Sequence, residues 1–448
     1  MQPPRTPLKI AVVGAGISGL SAAWLLSQHH EVTLYEADGR LGGHSHTVDA
    51  PSPGGTTAVD TGFIVYNEPC YPNLTALLAH LGVATKPAPM SFAVSMDDGA
   101  LEYSSAGLAG LFAQKRNLVS PRFGAMLRDL LRFQRTAPGD LADLEGSLIS
   151  LEDYLLQRGY GPAFRDEHLL PQAAAIWSCS MDKMAGYPAA SFIRFYMNHR
   201  LLKLDVRPTW RTVEGGSRAY VTALMAQFRG RVELGRPIVG VVRSADGPGV
   251  RTADGMLASY DHVVLATHAD QALRLLEAPD AQERRLLGAV RYGRNRVVLH
   301  RDERLMPRRR AAWAAWNHLG HRGEGGEGGV TYWMNRLQGL PGPDLFVSLN
   351  PSVEPRAQTI IREDDYEHPI FDAAAIAAQR ELWSLQGERD TWFCGAWFGW
   401  GFHEDGLQAG LAVAEQLGGV KRPWTVANES GRIAVSAPSR DLLQEAAA

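Results

Sequence analysis

Residues 8–26 read LKIAVVGAGISGLSAAWLL. The apolar run Leu8 to Val13 has the composition of a buried strand, Gly14-Ala15-Gly16-Ile17-Ser18-Gly19 follows, and small and apolar residues then recur as on a helix. This is G-x-G-x-x-G between a strand and a helix. In that context Gly14 permits the tight turn, Gly16 lets a pyrophosphate approach the backbone, and Gly19 lets the helix lie close on the sheet. The helix N-terminus offers free N–H groups to phosphates. A second strand, Glu31 to Tyr35, ends in Glu36, 17 residues beyond Gly19, near the spacing of an acid that accepts bonds from ribose hydroxyls. No arginine follows directly to hold a 2′-phosphate. A plain strand-to-helix turn would account for the glycines; strand, helix and acid together point to a dinucleotide.

The rest of the composition narrows the class. The 448 residues carry 45 Lys+Arg against 48 Asp+Glu, a formal charge of -3, without the basic excess of a dedicated nucleic-acid binder. At 45% hydrophobic and 21% charged residues the chain can bury a large core. Cys70, Cys179 and Cys394 are scattered and odd in number, so neither a disulfide framework nor a metal site is expected, and a reducing compartment fits. No apolar run reaches the length of a membrane span, and Leu8–Val13 leads into a glycine loop rather than a cleavage site, so we read a cytoplasmic protein.

The run Glu36-Ala37-Asp38-Gly39-Arg40-Leu41-Gly42-Gly43 has the form E-A-x-x-R-x-G-G. It resembles the flavin amine oxidase and phytoene desaturase superfamily, whose members hold FAD in an extended pose. The glycine pair there lets the chain pass close to the pyrophosphate. His44 stands where amine oxidases often have arginine, replacing a fixed charge by one that titrates; a phosphate contact and an ordinary surface histidine both remain open.

Further segments follow the same superfamily order. Asp60-Thr61-Gly62-Phe63 is similar to the stretch beside the flavin ring. Two β-rich runs, 232–241 and 250–254, lead to Val263-Val264-Leu265-Ala266-Thr267, matching the adenine-side hairpin and its buried strand, with Ile238 at the adenine. Gly215-Gly216 precedes a helical stretch, 220–228. In residues 391–415, TWFCGAWFGWGFHEDGLQAGLAVAE, a strand ends at Cys394-Gly395 and a helix begins near Asp405-Gly406-Leu407. The resemblance aims that helix N-terminus at the flavin pyrimidine edge, where its positive end would stabilise the reduced ring.

What the resemblance implies is an α/β, amine oxidase-like fold. A discontinuous Rossmann-like FAD-binding domain (1–70, 205–290 and 385–422) carries an inserted α+β substrate domain (71–204 and 291–384), and 423–448 reads as a peripheral tail. FAD would be noncovalent. Helices are expected over roughly 71–82, 107–135, 151–158 and 188–204, and Gly320 to Gly329 reads as a mobile loop with no strand before it.

Five strings, VDTGFIVYNEPCYPNL from Val59, LLPQAAAIWS from Leu169, RPTWRTVEGGSRAYV from Arg207, YEHPIFD from Tyr366 and GFHEDGLQAG from Gly401, are similar to a bacterial group of FAD proteins encoded beside cyclopropane fatty acid synthases. They also resemble the flavin-like N-terminal domain of plant cyclopropane synthases. The association implies oxidation of a lipid acyl chain and a fatty acid methyltransferase as partner. An amine or polyene oxidase, and a flavin-binding accessory protein without turnover, are the alternatives.

Amine oxidases place a lysine near the flavin in a strand that corresponds here to Arg294–His300, where Asn295 or Arg296 stands instead. His403 and Glu404, just before the flavin-facing helix, are the candidates for proton handling. Tyr66, Asn67, Trp177, His199, Trp400 and Phe402 are candidates for the substrate pocket; aromatic core packing is the alternative for the last two. Gly107–Arg135 interleaves six cations with leucine and phenylalanine, which suits either peripheral contact with the inner membrane face or a solvated helix face.

No second G-x-G-x-x-G lies between a strand and a helix, so electrons should leave the flavin for oxygen, a quinone or a protein. Micromolar NADH or NADPH is therefore expected not to bleach the flavin rapidly in anaerobic stopped-flow mixing; fast bleaching would reveal a nicotinamide site.

Overall fold

The strand Lys9–Val13 lies between two parallel partners, with Ile10 opposite Val32 on one side and Val12 opposite Val264 on the other. Its residues from Ile10 onward are buried, as expected of a parallel strand covered on both faces. The completed parallel sheet runs Arg231–Leu234, Glu31–Glu36, Lys9–Val13, His262–Leu265, Thr391–Phe393. Its neighbours in space come from the beginning, middle and far end of the chain. This computed structural model describes residues 6–202, 208–322 and 328–436.

Two helices cover the sheet by packing on one another. Every residue of Ile17–Leu26 is buried, and it lies along His403–Gly418. Small residues set the distance, since a Cβ on Gly410 would overlap the Ser18 carbonyl oxygen. The antiparallel hairpin Ile238–Ser244 and Gly247–Thr252, extended by Leu257–Ser259, packs beside His262–Leu265.

A seven-stranded mixed sheet forms the second layer, in the order Ile360–Ile370, Arg291–His300, Phe346–Leu349, Gly329–Trp333, Trp316–Gly320, Phe92–Met96, Leu101–Ser104. Only the pair Trp316–Gly320 with Phe92–Met96 is parallel. The helices Pro121–Asp140, Leu151–Gln157, Leu170–Trp177 and Ala189–Asn198 accompany it. The architecture is thus the α/β arrangement expected, a Rossmann-like sheet joined to an α+β layer. Among the described residues no helix is long and apolar enough to cross a membrane.

Several expectations need correction. Residues 107–135 do not form one helix: Leu108–Leu111 is a single turn, Lys115–Val119 is 3-10, and the long helix starts only at Pro121. Ser120-Pro121 explains the break, because the residue before proline avoids helical backbone and proline suits a first helical position. Ser120 then caps the new helix, its Oγ accepting the Phe123 N–H at 3.3 Å. The helix expected over 188–204 is Ala189–Asn198, closed by His199 and by Arg200 at φ 54; residues 203 and 204 lie outside the described residues. Leu170–Trp177 was not anticipated as a helix. A strand, Trp316–Gly320, does precede the glycine-rich stretch, whose residues 323–327 lie outside the described ones.

The segment from Pro423 is not peripheral over its described part. Trp424 stacks on Trp24 with centroids 6.0 Å apart, and Asn73 Nδ2 donates to the Glu429 carbonyl at 2.9 Å. Arg432 is buried, its guanidinium over Tyr71 and Trp400 and 3.6 Å from the fully buried Asp405. Burial pushes the Asp405 carboxyl up to about 6, and Arg432 is the nearby cation that opposes the rise. Because folding raises this carboxyl from its usual 3.8, stability falls as pH climbs through the interval from about 4 to 6. Arg432→Ala should destabilise the protein by about 3 kcal/mol at pH 8, and by less at pH 5 where Asp405 is neutral. Denaturant unfolding at the two pH values checks this; a pH-independent loss would mean that only packing on Tyr71 and Trp400 is removed.

Candidate active site

A cavity of about 1880 Å³ opens at the carboxyl ends of the parallel strands. Val13 to Ser18, Glu36 to Arg40, Ala266-Thr267 and Gly395-Ala396 line one end, each from the loop that follows a strand of that sheet. This is where ligands bind in open α/β sheets, at the point where the strand order reverses.

The glycine loop is built by close backbone approach. Gly14 sits at φ +101, donates its N–H to the Tyr35 carbonyl at 2.8 Å, and could carry a Cβ only 2.8 Å from the Ala266 oxygen. Gly43, at φ +56, faces Gly16, whose Cα lies 2.9 Å from where its Cβ would be. The two loops are tied by Gly42 N–H to the Ala15 carbonyl at 2.8 Å. A Cβ on Gly19 would overlap the Gly14 carbonyl oxygen, so Gly19 serves helix packing and lies off the cavity wall. Gly16 differs: a Cβ there has no protein atom within 4 Å and would enter the cavity.

Those features fit a dinucleotide. The helix Ile17–Leu26 starts without a side-chain cap, so its first N–H groups and its positive end face the space beside Gly16. The Glu36 carboxylate is held at the end of its strand, Oε2 accepting from Ala15 N–H at 2.7 Å and Oε1 from Asp38 N–H at 2.9 Å. Ala37, Arg40, Gly42, Gly43, His44, Gly62, Phe63 and Ile238 also line the cavity, as do Ala266, Thr267 and Gly395.

His44 is not a surface residue. Its ring lies 5.1 Å from Tyr366, 5.2 Å from His368 and 6.2 Å from His268, and its Nε2 has no hydrogen-bond partner. Burial, with those histidines adding to it, holds His44 well below the usual imidazole range, so it meets the cavity neutral.

The two proton-handling candidates separate. His403 lines the cavity, stacks on Phe63 at 3.9 Å and 9°, and places Nε2 2.8 Å from the Tyr220 hydroxyl. Burial pushes its pKa down to about 3, which makes it a weak base held in place by two elements. Glu404 points away. Its Oε1 accepts from Asn73 N–H and Nδ2 at 3.0 and 2.9 Å, and its Oε2 from Leu74 N–H at 2.9 Å. It therefore caps the helix Pro72–His80 and, lying off the cavity wall, serves structure and not the proton transfer expected of it.

Asp405, Gly406 and Leu407 also fall off the cavity wall. Asp405 Oδ2 accepts from Phe402 N–H at 2.8 Å, Gly406 packs on Ile17, and Leu407 is core. The helix begins two residues earlier than expected, at His403, so Gly401, Phe402 and His403 present its start to the cavity.

Among the pocket candidates, Trp177, His199, Trp400 and Phe402 line the cavity, while Tyr66 and Asn67 do not. Asn67 Oδ1 accepts from Cys70 N–H at 3.0 Å, and Tyr66 is buried against Tyr71; both sit in a short strand paired with Trp210–Val213. Phe195 joins the four true lining residues, stacked on His199 at 3.8 Å and on Phe402 at 5.0 Å. Asn295 and Arg296 are outside as well: Asn295 Nδ2 meets His368 Nδ1 at 2.8 Å, and Arg296 pairs with Glu354 and Glu363 on the surface. The strand faces the cavity through Tyr292 and Arg294; Asn295 is one step away on the opposite face, and Arg296 shares their face but lies beyond the cavity. Leu130 and Phe133, on the inner face of the basic helix, and Tyr332 were not anticipated; their alternation with charged or polar neighbours was the only signal.

The family model for flavin containing amine oxidoreductases matches residues 17–336. The chain belongs to that family. It is an FAD-dependent oxidoreductase, and its fold is shared with solved structures at low identity. A CLA-producing fatty acid isomerase from P. acnes aligns at TM-score 0.64 and 16% identity over 92% of this chain and 98% of its own. Cyclohexylamine oxidase from Brevibacterium oxydans aligns at 0.66 and 16%, over 92% and 100%. Putrescine oxidase bound to putrescine aligns at 0.67 and 13%, over 92% and 99%. No curated protein sequence matches the chain.

Gly16→Val should give a folded flavoenzyme scaffold with less than about a tenth of the normal flavin, because the added side chain occupies only cavity space. Gly19→Val should fail to fold, because its side chain has no room between helix and loop. Circular dichroism and flavin absorbance of the purified variants separate the two; normal flavin content in Gly16→Val would overturn the assignment of the phosphate site.

Proposed function

We propose that this flavoenzyme binds FAD noncovalently and oxidises a lipid acyl chain. The observation that carries the reading is the far arm of the cavity. Leu130, Phe133, Ile176, Trp177, Phe195 and Leu202 form its walls. The histidines in it are neutral, since burial pushes His168 down to about 4 and His199 down to about 3. No lysine lines the cavity among the described residues; its carboxylates, Glu36, Asp38, Asp364, Asp365 and Glu367, come from the glycine-loop end and from the strand Ile360–Ile370, while Arg200, next to His199, is a cation. An ammonium group would find no counter-charge there and would lose its hydration, whereas a hydrocarbon chain gains about 0.8 kcal/mol for each CH₂ it buries.

The five strings similar to the cyclopropane synthase-associated group agree with that substrate class and with modified fatty acid metabolism. A bound flavin supplies a two-electron acceptor for hydride. A desaturation would pass hydride from one carbon to that acceptor and a proton from the adjacent carbon to the neutral imidazole of His403, leaving a C=C bond, with oxygen, a quinone or a protein as the final acceptor of the two electrons. The chain's own residues supply a dry aromatic wall, from Trp177 to Phe402, that holds the carbon chain and excludes water. Noncovalent attachment fits the absence of a cysteine from the cavity lining: Cys394 is buried on its strand, with burial pushing its thiol up to about 12.

The test is anaerobic titration of the purified holoenzyme with dispersed cyclopropane, methyl-branched and monounsaturated acyl lipids, and in parallel with putrescine and cyclohexylamine. Bleaching by an acyl lipid alone is expected. Bleaching by the amines alone would replace this reading with amine oxidation. Bleaching by neither, together with stimulation of a fatty acid methyltransferase by the intact flavoprotein, would replace it with an accessory role.

A further inference from the structure

The break at Ser120-Pro121 produces a surface unlike the rest of the molecule. Leu108 is 76% exposed, Leu118 63% and Val119 82%, and all three lie in the two short helical turns before the long helix. On the long helix Arg128, Leu131 and Arg135 form one exposed stripe at helical spacing. Phe123, Met126, Phe133 and Ala137 form the buried stripe opposite.

Within residues 99–139 the exposed charge is of one sign. From Gly99 to Gly139 the only acids are Glu102 and Asp129, both buried. Glu102 is occupied by Arg309, and Asp129 accepts from Gly161 N–H and lies beside Arg128 and Arg132. Arg132 is withdrawn from the surface: it donates to the carbonyls of Arg158 and Gly159 and lies over the Tyr160 ring. Lys115, Arg116 and Arg135 remain exposed, with no ion pair among the described residues.

The fold adds cations that are remote in sequence. Gln114 Nε2 and Arg309 Nη1 donate to the same Gly99 carbonyl, at 2.7 and 3.1 Å, so the exposed Arg308-Arg309-Arg310 run lies beside the 108–119 turns. In a chain of formal charge -3, the protruding leucines and valine thus lie among the unpaired cations Lys115 and Arg116, while Arg308 and Arg310 beside them are paired with Asp98 and with Glu303 and Asp344.

We propose that this surface docks on an anionic lipid bilayer, with Leu108, Leu118 and Val119 entering the interface and Lys115 and Arg116 facing the headgroups. Exposed apolar side chains among unneutralised cations are the features by which peripheral segments hold such surfaces. Leu130 and Phe133 of the same long helix line the cavity, so docking brings the apolar arm to about one helix diameter, roughly 10 Å, from the lipid. The proposal does not rest on the substrate reading, because the surface is defined without reference to what enters the cavity.

Cosedimentation of the holoenzyme with phosphatidylcholine vesicles, with and without phosphatidylglycerol, tests it. Strong binding to the mixed vesicles and weak binding to pure phosphatidylcholine are expected, falling with added salt. Lys115→Glu with Arg116→Glu should weaken binding by about 30-fold or more, and Leu118→Ser with Val119→Ser by roughly tenfold. Flavin absorbance and melting temperature should be unchanged in both. Absence of wild-type binding, equal binding by wild type and variants, or a wild-type dimer that the variants convert to monomer would each overturn the proposal, the last by showing that a second copy covers the face. Flavin reduction by detergent-dispersed acyl lipid reads the substrate reading separately, since no vesicle is present.

Discussion

Backbone packs directly against backbone where Gly14-Ala15-Gly16 meets Gly42-Gly43 and the Ala266 carbonyl. Each of these approaches is too close for a side chain, and together they bring three separate stretches of chain to one edge of the sheet. The helix Ile17–Leu26 can then start with its N–H groups aimed into open space, and Glu36 can be fixed beside them by the Ala15 and Asp38 amides. Much of the remaining architecture preserves that edge. The helix His403–Gly418 clamps the first helix from outside, and its own start, carrying Phe402 and His403, is delivered to the same cavity.

Electrostatically the cavity has two characters. Near the glycine loops it is lined by peptide N–H groups, Arg40 and Glu36, suited to a phosphate and a ribose. Farther along, burial keeps the imidazoles of His44, His403 and His199 neutral, and Arg200 is a charged side chain among the aromatic ones. Under the proposed reading, an ammonium group beside those aromatic residues would be desolvated without compensation, whereas a hydrocarbon would not.

The cofactor half was legible in the sequence because its signals are local. Each glycine acts within a few residues of its own position, and the 17-residue interval to Glu36 is one strand-helix-strand unit. The second half depends on register and on distant partners. Asn295 and Tyr292 belong to one strand, and nothing in the string RYGRNRVV shows which alternate set faces the cavity. Glu404 looked like an acid beside a flavin, yet its partners are the amides of Asn73 and Leu74, some 330 residues earlier. Only tertiary structure brings that helix end within its reach. Likewise a basic amphipathic pattern was visible over 107–135, but the proline that divides it also turns Leu118 and Val119 outward.

The strand order also bears on how the protein comes into being at the ribosome. Lys9–Val13 is the centre of the parallel sheet, but one of its two flanking strands, His262–Leu265, is about 250 residues downstream, and the outermost, Thr391–Phe393, is farther still. At typical translation speeds of about 5–20 residues per second, the most apolar strand waits roughly ten to fifty seconds for that neighbour. During the wait an unpaired hydrophobic edge is open to wrong partners. Such a protein should lean on chaperones during synthesis and acquire its cofactor late, after the nascent chain has almost all emerged.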